Sequence, residues 1–565
     1  MADIVDPPTG PLPRFDAGAD TTQIPQAQRV SFARASAVMS VGTALSRVSG
    51  FGRVAVQAWA IGATESKLAD TYNLANSMPN MVYQLVIGEV LSTIFVPVFV
   101  EHIKRRKKDE SWYLASSILN IAVVFAVVFS IATVIAAPWL IKIFTFNADP
   151  RSRAQQGVLG AFFLRIFMPQ MAFYAAGMIW TGLLQAYRKF GPPMFAPIVN
   201  NVIVIVTFVI FRIEHGGREA GLTSLSTGEK YLLAGGTTLG VIAMTLVLLP
   251  SVRHLPGRLR LRAFAWRDPA VRHVGGLAKY SLGFVASNQI ALWAIYALAN
   301  HQTGGVTVYN FAWILFQLPY GIFAVSVSTY ILRELSEHHT DGNTAAMRSD
   351  LALGLRTISF IMIPAAAGFI ALSVPMIRVL LQHGHFGVHS TRITADTFAL
   401  MALGLPGFAA FQHFTKVFYA MQDTKSAFWI NNVTSLVNVA TAVPLFAMLH
   451  VAGLGLSFGL SYVAGALVGA EVLRRRLGGI DGKRLVMSHA RTVIASTVTA
   501  AGAFFTARWL DRAFGTSHFV QQLGVLVIAV VVGLAIYLAT ARLLGSEELR
   551  PLVGIFTGRL RRKAR

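Results

Sequence analysis

The chain has 565 residues, of which 54% are hydrophobic and only 13% charged, against about 25% charged in an average soluble protein; an ordinary soluble domain is excluded. The 49 Lys and Arg outweigh 26 Asp and Glu, a formal charge of +23, which in so apolar a chain belongs to basic cytoplasmic loops on anionic lipid rather than to nucleic-acid binding. There is no cysteine, so disulfides, thiolate metal sites and cysteine nucleophiles are excluded.

Residues 1–33 are polar, Pro-rich and acidic, without the basic segment and apolar core of a cleaved leader, and read as a disordered cytoplasmic tail. Fourteen stretches then approach the ~20 apolar residues that a membrane-spanning helix requires. They lie at 36–61, 71–100, 113–140, 158–186, 194–213, 230–250, 276–300, 305–331, 353–381, 393–421, 427–449, 452–473, 490–508 and 521–543. Four loops or tails are strongly basic. They hold Lys104 to Lys108; Arg253, Arg258, Arg260, Arg262, Arg267 and Arg272; Arg474 to Arg476 with Lys483 and Arg484; and Arg559, Arg561, Arg562, Lys563 and Arg565. All four fall on one side if both termini are cytoplasmic, as the positive-inside rule requires.

A faint repeat organises the stretches. Pro79 and Pro319 are 240 positions apart, and Ala186 and Ala420 are 234 apart, each pair in a similar local sequence. The expected fold is therefore all-α: two six-helix bundles in the same orientation, related by a pseudo-two-fold along the membrane normal, plus two C-terminal helices. Its segments are the tail 1–33, a first bundle at 34–252, a basic linker at 253–275 and a second bundle at 276–475. Helices 13 and 14 follow at 476–545, then a basic tail at 546–565. Such a layout places a transport site between the halves.

The most telling residues are Arg47 and Arg53, inside the first stretch. An arginine at mid-bilayer costs at least ~2.5–3.5 kcal/mol unless it faces a wet, protein-lined cavity, and its guanidinium fork suits phosphate. Six positions apart, the two would not share a face of a regular helix; Gly50 and Gly52 between them would permit a bend that turns both inward. Asp70 opens the second stretch, either as a helix N-terminal carboxylate or as a partner that holds and releases an arginine. Glu89, deep in that stretch, is a proton-binding or ion-paired carboxylate. Arg165 lines a cavity or sits at the interface. Ser287, Asn288 and Gln289 form a polar cluster suited to interhelical hydrogen bonds or ligand contact. Lys416 shares a helical face with His413, and adds charge to a cavity or marks a cytoplasmic end. Asn431, Asn432 and Asn438 could ligate sodium only weakly, Asn438 having no carboxylate near it in its stretch. His383, His385 and His389 suggest a surface loop or a metal site. No phosphate-binding loop, HExxH or GxSxG is present. No cofactor and no enzyme activity are expected, and the membrane potential or an ion gradient would drive transport.

The block ALSRVSGFGRVAVQAWAIGATESKLADTYNLANSMPNMVYQLVIGEVLSTIFVPVFVE, with LLQAYRKFGPPMFAP and GLPGFAAFQHFTKVFYAMQDTKSAFWI later, resembles the MurJ/MviN family over about residues 34–475. The resemblance implies a lipid II flippase of the multidrug/oligosaccharidyl-lipid/polysaccharide exporter superfamily in the bacterial cytoplasmic membrane. It implies cargo built on a polyprenyl diphosphate, and cell-wall synthesis or division proteins as possible partners. The family's first-span arginines match Arg47 and Arg53, and its second-span aspartate matches Asp70. Its further arginines fall at Tyr83, Gln84 and Ile314, and its second-span glutamate at Gly88, one residue before Glu89. The cavity would then be less cationic than in typical relatives. Alternatives are export of another polyprenyl-linked glycan or of an amphipathic compound, and a non-transporting scaffold; an intramembrane polymerase is disfavoured by short, carboxylate-poor outer loops.

Overall fold

The computed structural model describes residues 26–84, 108–187, 189–257, 279–515 and 518–549. Among them every regular element is helical: α1 (Gln26–Ile61), α2 (Leu68–Tyr83), α3 (Lys108–Thr145), α4 (Pro150–Phe167), α5 (Gln170–Ala186), α6 (Gly191–Glu214), α7 (Thr227–Leu246), α8 (Leu249–Arg253), α9 (Lys279–Ala299) and α10 (Gly305–Pro319). The second part of the chain continues with α11 (Val325–Thr340), α12 (Thr344–Ala371), α13 (Ser373–Leu381), α14 (Val388–Ala402), α15 (Leu405–Ala420), α16 (Thr424–Leu449), α17 (Val451–Leu477), α18 (Gly482–Phe514) and α19 (Phe519–Leu543). Eleven helices or helix pairs are long and apolar enough to cross a membrane, and twelve if α14 and α15, bent by 48°, form one span. That count is made among the described residues, and α1 and α2 stand apart from it.

Local chemistry explains most boundaries. Pro150 opens α4 behind the Asp149 side chain, which accepts from Arg151 N, and Ser226 with Glu229 forms a capping box on α7. Five expectations need refinement. α1 begins at Gln26, inside the segment expected to be a disordered tail, because QAQRVSFARASA holds good helix formers and no proline after Pro25. The 158–186 stretch falls within one candidate span, Pro150–Ala186, made of two helices broken at Met168 and Pro169. The 353–381 and 393–421 stretches are likewise broken at Leu372 and at Leu403–Gly404. The 305–331 stretch widens into a π-helical turn, Tyr320–Ala324, directly after Pro319, whose missing N–H interrupts the regular ladder.

The packing has a repeated logic. α1 lies against α6 as α9 lies against α16; α6 pairs with α7 as α16 pairs with α17; α2 meets α4 as α10 meets α14. The close contacts repeat as well. Asn201 on α6 donates to Ser49 Oγ (3.0 Å) and reaches Ser46 O (3.4 Å) on α1. Asn431 on α16 donates to Ser287 Oγ (2.8 Å) and Phe284 O (3.0 Å) on α9. A side chain at Gly236 on α7 would collide with Thr207 of α6, and one at Gly465 on α17 with Thr434 of α16. Small residues that let backbones approach, and single side-chain hydrogen bonds between helices, are the adhesives available in lipid. α2 meets α10, α3 meets α9 and α1 meets α13 across the two groups; α18 and α19 pack together, with α18 along α12.

Candidate functional site

Between the two groups of helices lies a cavity of about 600 Å3. α2 presents a polar stripe to it: Asn73, Asn76, Asn80 and Gln84, which recur at intervals that keep them on one helical face. α9 contributes Asn288 and Gln289, α10 contributes Asn310 and Gln317, and α16 contributes Thr434, Ser435 and Asn438. Gln289 Nε2 donates to Gln84 Oε1 (2.8 Å) across the cavity. Exposure rises along α2, from Tyr72 at 2% to the exposed Asn80 and Gln84. The cavity thus opens away from the Asp70 end. Carboxamides and hydroxyls at these depths need either partners or water.

Arg53 is the cation of this cavity, half-buried beside Tyr72 and Tyr174. Among the described residues it has no carboxylate partner. Arg47 is placed differently. α1 stays helical through Gly50 and Gly52 without unwinding, and only Arg53 of the two arginines lines the cavity. The two glycines face Asn201 and Ile205 of α6 with room for a Cβ at ordinary contact distance, 3.5 and 3.7 Å. Arg47 is exposed, and its guanidinium lies against Gly321 of the π-helical turn, where an added Cβ would come within 3.0 Å of Nη2. It therefore bridges the side gap between α1 and the opposite bundle rather than lining the cavity.

Asp70 lies outside the cavity, fully buried at its closed end. It accepts from Gly304 N (2.7 Å), Thr307 N (3.0 Å) and Thr307 Oγ1 (3.0 Å). The carboxylate thus caps the start of α10, where the helix dipole favours negative charge. Its cationic partner is Lys67 (3.4 Å), so the expected pairing with an arginine is replaced by a lysine and backbone N–H groups. Lys67 also donates to Gln302 O (2.9 Å) and Asn300 O (2.5 Å). Nearby, Glu65 accepts from Ser390 Oγ (2.7 Å) and Gly387 N (3.1 Å). This end of the molecule is a dry polar seal between the bundles.

The remaining expected residues divide. Asn288 and Gln289 reach the cavity, while their neighbour Ser287 is committed to Asn431. Asn438 lines it with Oδ1 accepting from Ser457 (2.8 Å). Arg165 is exposed away from the cavity, on the outward side of α4, because its helix turns Phe163, Leu164 and Phe167 inward. Lys416 is half-buried near His413 in the packing of α12 and α15, also off the cavity. Glu89 lies outside the described residues. His383 packs on Phe519 and His385 meets Arg212; among the described residues no His, Asp and Glu cluster is placed to hold a metal. Of the positions where the resemblance implied arginine, Gln84 and Ile314 face the cavity, whereas Tyr83 turns into the core toward Met178. Lys67 and the asparagine stripe are site residues that local sequence did not single out. The stripe was visible in principle as polar residues at helical spacing in an apolar stretch.

The fold is that of two-bundle membrane transporters. A solved lipid II flippase MurJ, in an inward closed conformation, aligns with a TM-score of 0.70 at 21% identity, covering 91% of this chain and 99% of that one. An inward-facing multidrug MATE transporter of the MOP superfamily aligns with a TM-score of 0.65 at 13% identity, covering 77% and 95%. The family model described as lipid II flippase MurJ matches residues 58–525, and the chain belongs to that family. Relatives include a probable lipid II flippase MurJ of Rhizobium meliloti, 25% identical over 92% of this chain and 95% of its own length. The lipid II flippase MurJ of Burkholderia cenocepacia is 28% identical over 78% and 84%.

Proposed function

We propose that this protein moves lipid II across the cytoplasmic membrane by alternating access, with Arg53 holding the diphosphate. It is a lipid II flippase of the MurJ family. The observation that carries the site assignment is Arg53: a guanidinium without a carboxylate partner among the described residues, in a polar cavity between the two groups of helices and sealed at one end. A charge-assisted hydrogen bond to a phosphate is the strongest contact such a group can make. The carboxamide stripe on α2 suits the sugar hydroxyls of the head group. Arg47, at the gap between α1 and the opposite bundle, suits an entry position from which a lipid's phosphate is handed inward while its chain stays in the bilayer.

In this reading the chain has fourteen spans with both termini inside. The two bundles are related by a pseudo-two-fold, which the repeated Asn–Ser clamps and Thr–Gly contacts support. The structure then represents a state closed outside and open inside, and Asp70 and Lys67 form the outer gate. Release of that gate as the bundles rock presents the head group outside. The protein is a transporter and not an enzyme, driven by the membrane potential or an ion gradient. A potential of 100 mV acting on one displaced charge supplies ~2.3 kcal/mol. Anionic lipids at the basic inner loops and cell-wall synthesis proteins are its expected partners.

The test is rescue of cells depleted of their own flippase. Wild type is expected to restore growth and lipid II exposure outside; Arg53→Ala is expected to restore neither at equal membrane abundance. Full rescue by Arg53→Ala refutes the diphosphate assignment. A second reading, another polyprenyl-linked glycan as cargo, draws on the uncharged Gln84 and Ile314 that line the cavity at positions where the family resemblance implied arginine. Failure of wild type to rescue would favour it, or a scaffold role.

A further inference from the structure

A second pocket, of about 440 Å3, lies far from the central cavity, between α13, the end of α18 and the start of α19. Its lining is of two kinds. Ile370, Val374, Phe504 and Val525 make an apolar wall; Arg378, Arg508 and Arg512 bring three positive charges against the single negative charge of Asp511. Asp511 is engaged by Arg378 at 3.2 Å. Arg508 and Arg512 are one turn apart on α18, so they share a face, and both are exposed. No hydrogen bond or ion pair joins either to another described residue. Two cations without partners thus stand at the rim of an apolar recess.

Depth points the same way. Trp509, beside Arg508, is 65% exposed, and an outward-facing indole marks the level of lipid head groups. In the proposed orientation this is the outer surface, where the positive-inside bias leaves few arginines. Three around one pocket run against that bias. A lone arginine here would be explained by its side chain reaching toward water; a concave site that joins unpaired guanidinium groups to an apolar wall fits an amphipathic anion.

We propose that this pocket binds an anionic glycerophospholipid. Its phosphate lies among Arg508, Arg512 and Arg378, and an acyl chain runs along Ile370, Val374 and Phe504. The excess positive charge complements a phosphodiester, and the adjoining apolar wall distinguishes a lipid from a free phosphate ion. The assignment to the outer leaflet rests on the proposed orientation; the binding itself does not depend on it, nor on the identity of the flipped cargo.

The experiment is native mass spectrometry of the purified full chain, titrated with phosphatidylglycerol, phosphatidylcholine or inorganic phosphate. Wild type is expected to retain one phosphatidylglycerol that millimolar inorganic phosphate does not displace, and to hold phosphatidylcholine more weakly. Arg508→Gln with Arg512→Gln should weaken retention by about tenfold or more, whereas Arg508→Lys with Arg512→Lys, which keeps the charge but not the guanidinium fork, should lose clearly less than the Gln pair. Val374→Trp, which fills the apolar wall and spares the arginines, should also lose the lipid. Equal retention of the two lipids, unchanged binding in the Gln or Trp variants, or displacement by inorganic phosphate would each overturn the proposal. Should the Gln pair fail to fold, the Lys pair and Val374→Trp still decide it. Flipping is measured separately, so loss of the lipid site and failure of the flippase reading give different results.

Discussion

The helices α1 and α9 make parallel contacts in the two groups of helices and are held by the same device, yet only α1 brings a charged side chain to the cavity. Ser49 on α1 is gripped by Asn201, and Ser287 on α9 by Asn431, each asparagine also reaching the carbonyl three residues earlier. Four residues beyond each serine, the two helices part company: Arg53 on α1, Ala291 on α9, both lining the cavity. The scaffold tolerates repetition because the clamp depends on small polar groups and close backbones. The cavity needs asymmetry, because a second uncompensated guanidinium nearby would add to the cost of keeping charge within the membrane.

The sharpest way to break this comparison is to move the charge. Arg53→Ala combined with Ala291→Arg returns a cation to the same cavity from the opposite bundle. Arg53→Ala alone should lower lipid II flipping by about 10- to 100-fold, the worth of a hydrogen bond to a charged group; the combination should recover part of that. No recovery in a vesicle flipping assay would mean that the position of the cation, and not its presence, matters.

The next effect is on folding. Gly236→Leu and Gly465→Leu force apart the helix pairs α6–α7 and α16–α17, where Thr207 and Thr434 already fill the space. Each should cost about 1–3 kcal/mol, read as lowered thermal stability in detergent. A large loss in one bundle with none in the other would show that the contacts are not equivalent.

A smaller effect is expected from the clamps. Asn201→Leu and Asn431→Leu each remove interhelical hydrogen bonds worth about 0.6 kcal/mol in a membrane protein, and their effects on unfolding should match. The second bundle differs also in what docks on it. Arg356 of α12 holds Glu547 (2.8 Å) and Glu548 (2.7 Å), and Glu548 accepts from Ser488 of α18 (2.8 Å). The opening of the segment expected to be a basic tail is thus acidic and anchored. Burial pushes the Glu548 carboxyl up, but Ser488 and Arg356 outweigh it and hold it below its ordinary value; Arg356 does the same for Glu547. With both values lowered on folding, the stabilisation is present above the unfolded value of about 4.3 and is lost as pH falls through the folded one. Thermal stability should therefore drop slightly on acidification through that range, and Arg356→Gln should flatten the drop.

Much of the architecture was legible in order and composition. Long apolar runs register directly as helices in lipid, since a lone strand or loop would leave its backbone unpaired there. Arg53, Asn288 and Gln289 were legible because polar groups in an apolar run stand out without knowledge of their neighbours. The break at Leu372 was not, because leucine continues a helix as readily as it ends one; Pro169, and Gly404 with Pro406, mark the other two breaks locally. The asparagine stripe of α2 was legible only with the helix phase in mind.

The amino-acid sequence by itself determined the membrane class, most of the spans and the presence of intramembrane charge, because transfer from water to hydrocarbon acts residue by residue. Only the tertiary structure decided which arginine faces the cavity, that Asp70 seals its end through Lys67 and the start of α10, and that Arg165 and Lys416 stand aside. Those outcomes depend on helix phase and on contacts between residues more than 200 positions apart, and no local pattern encodes them.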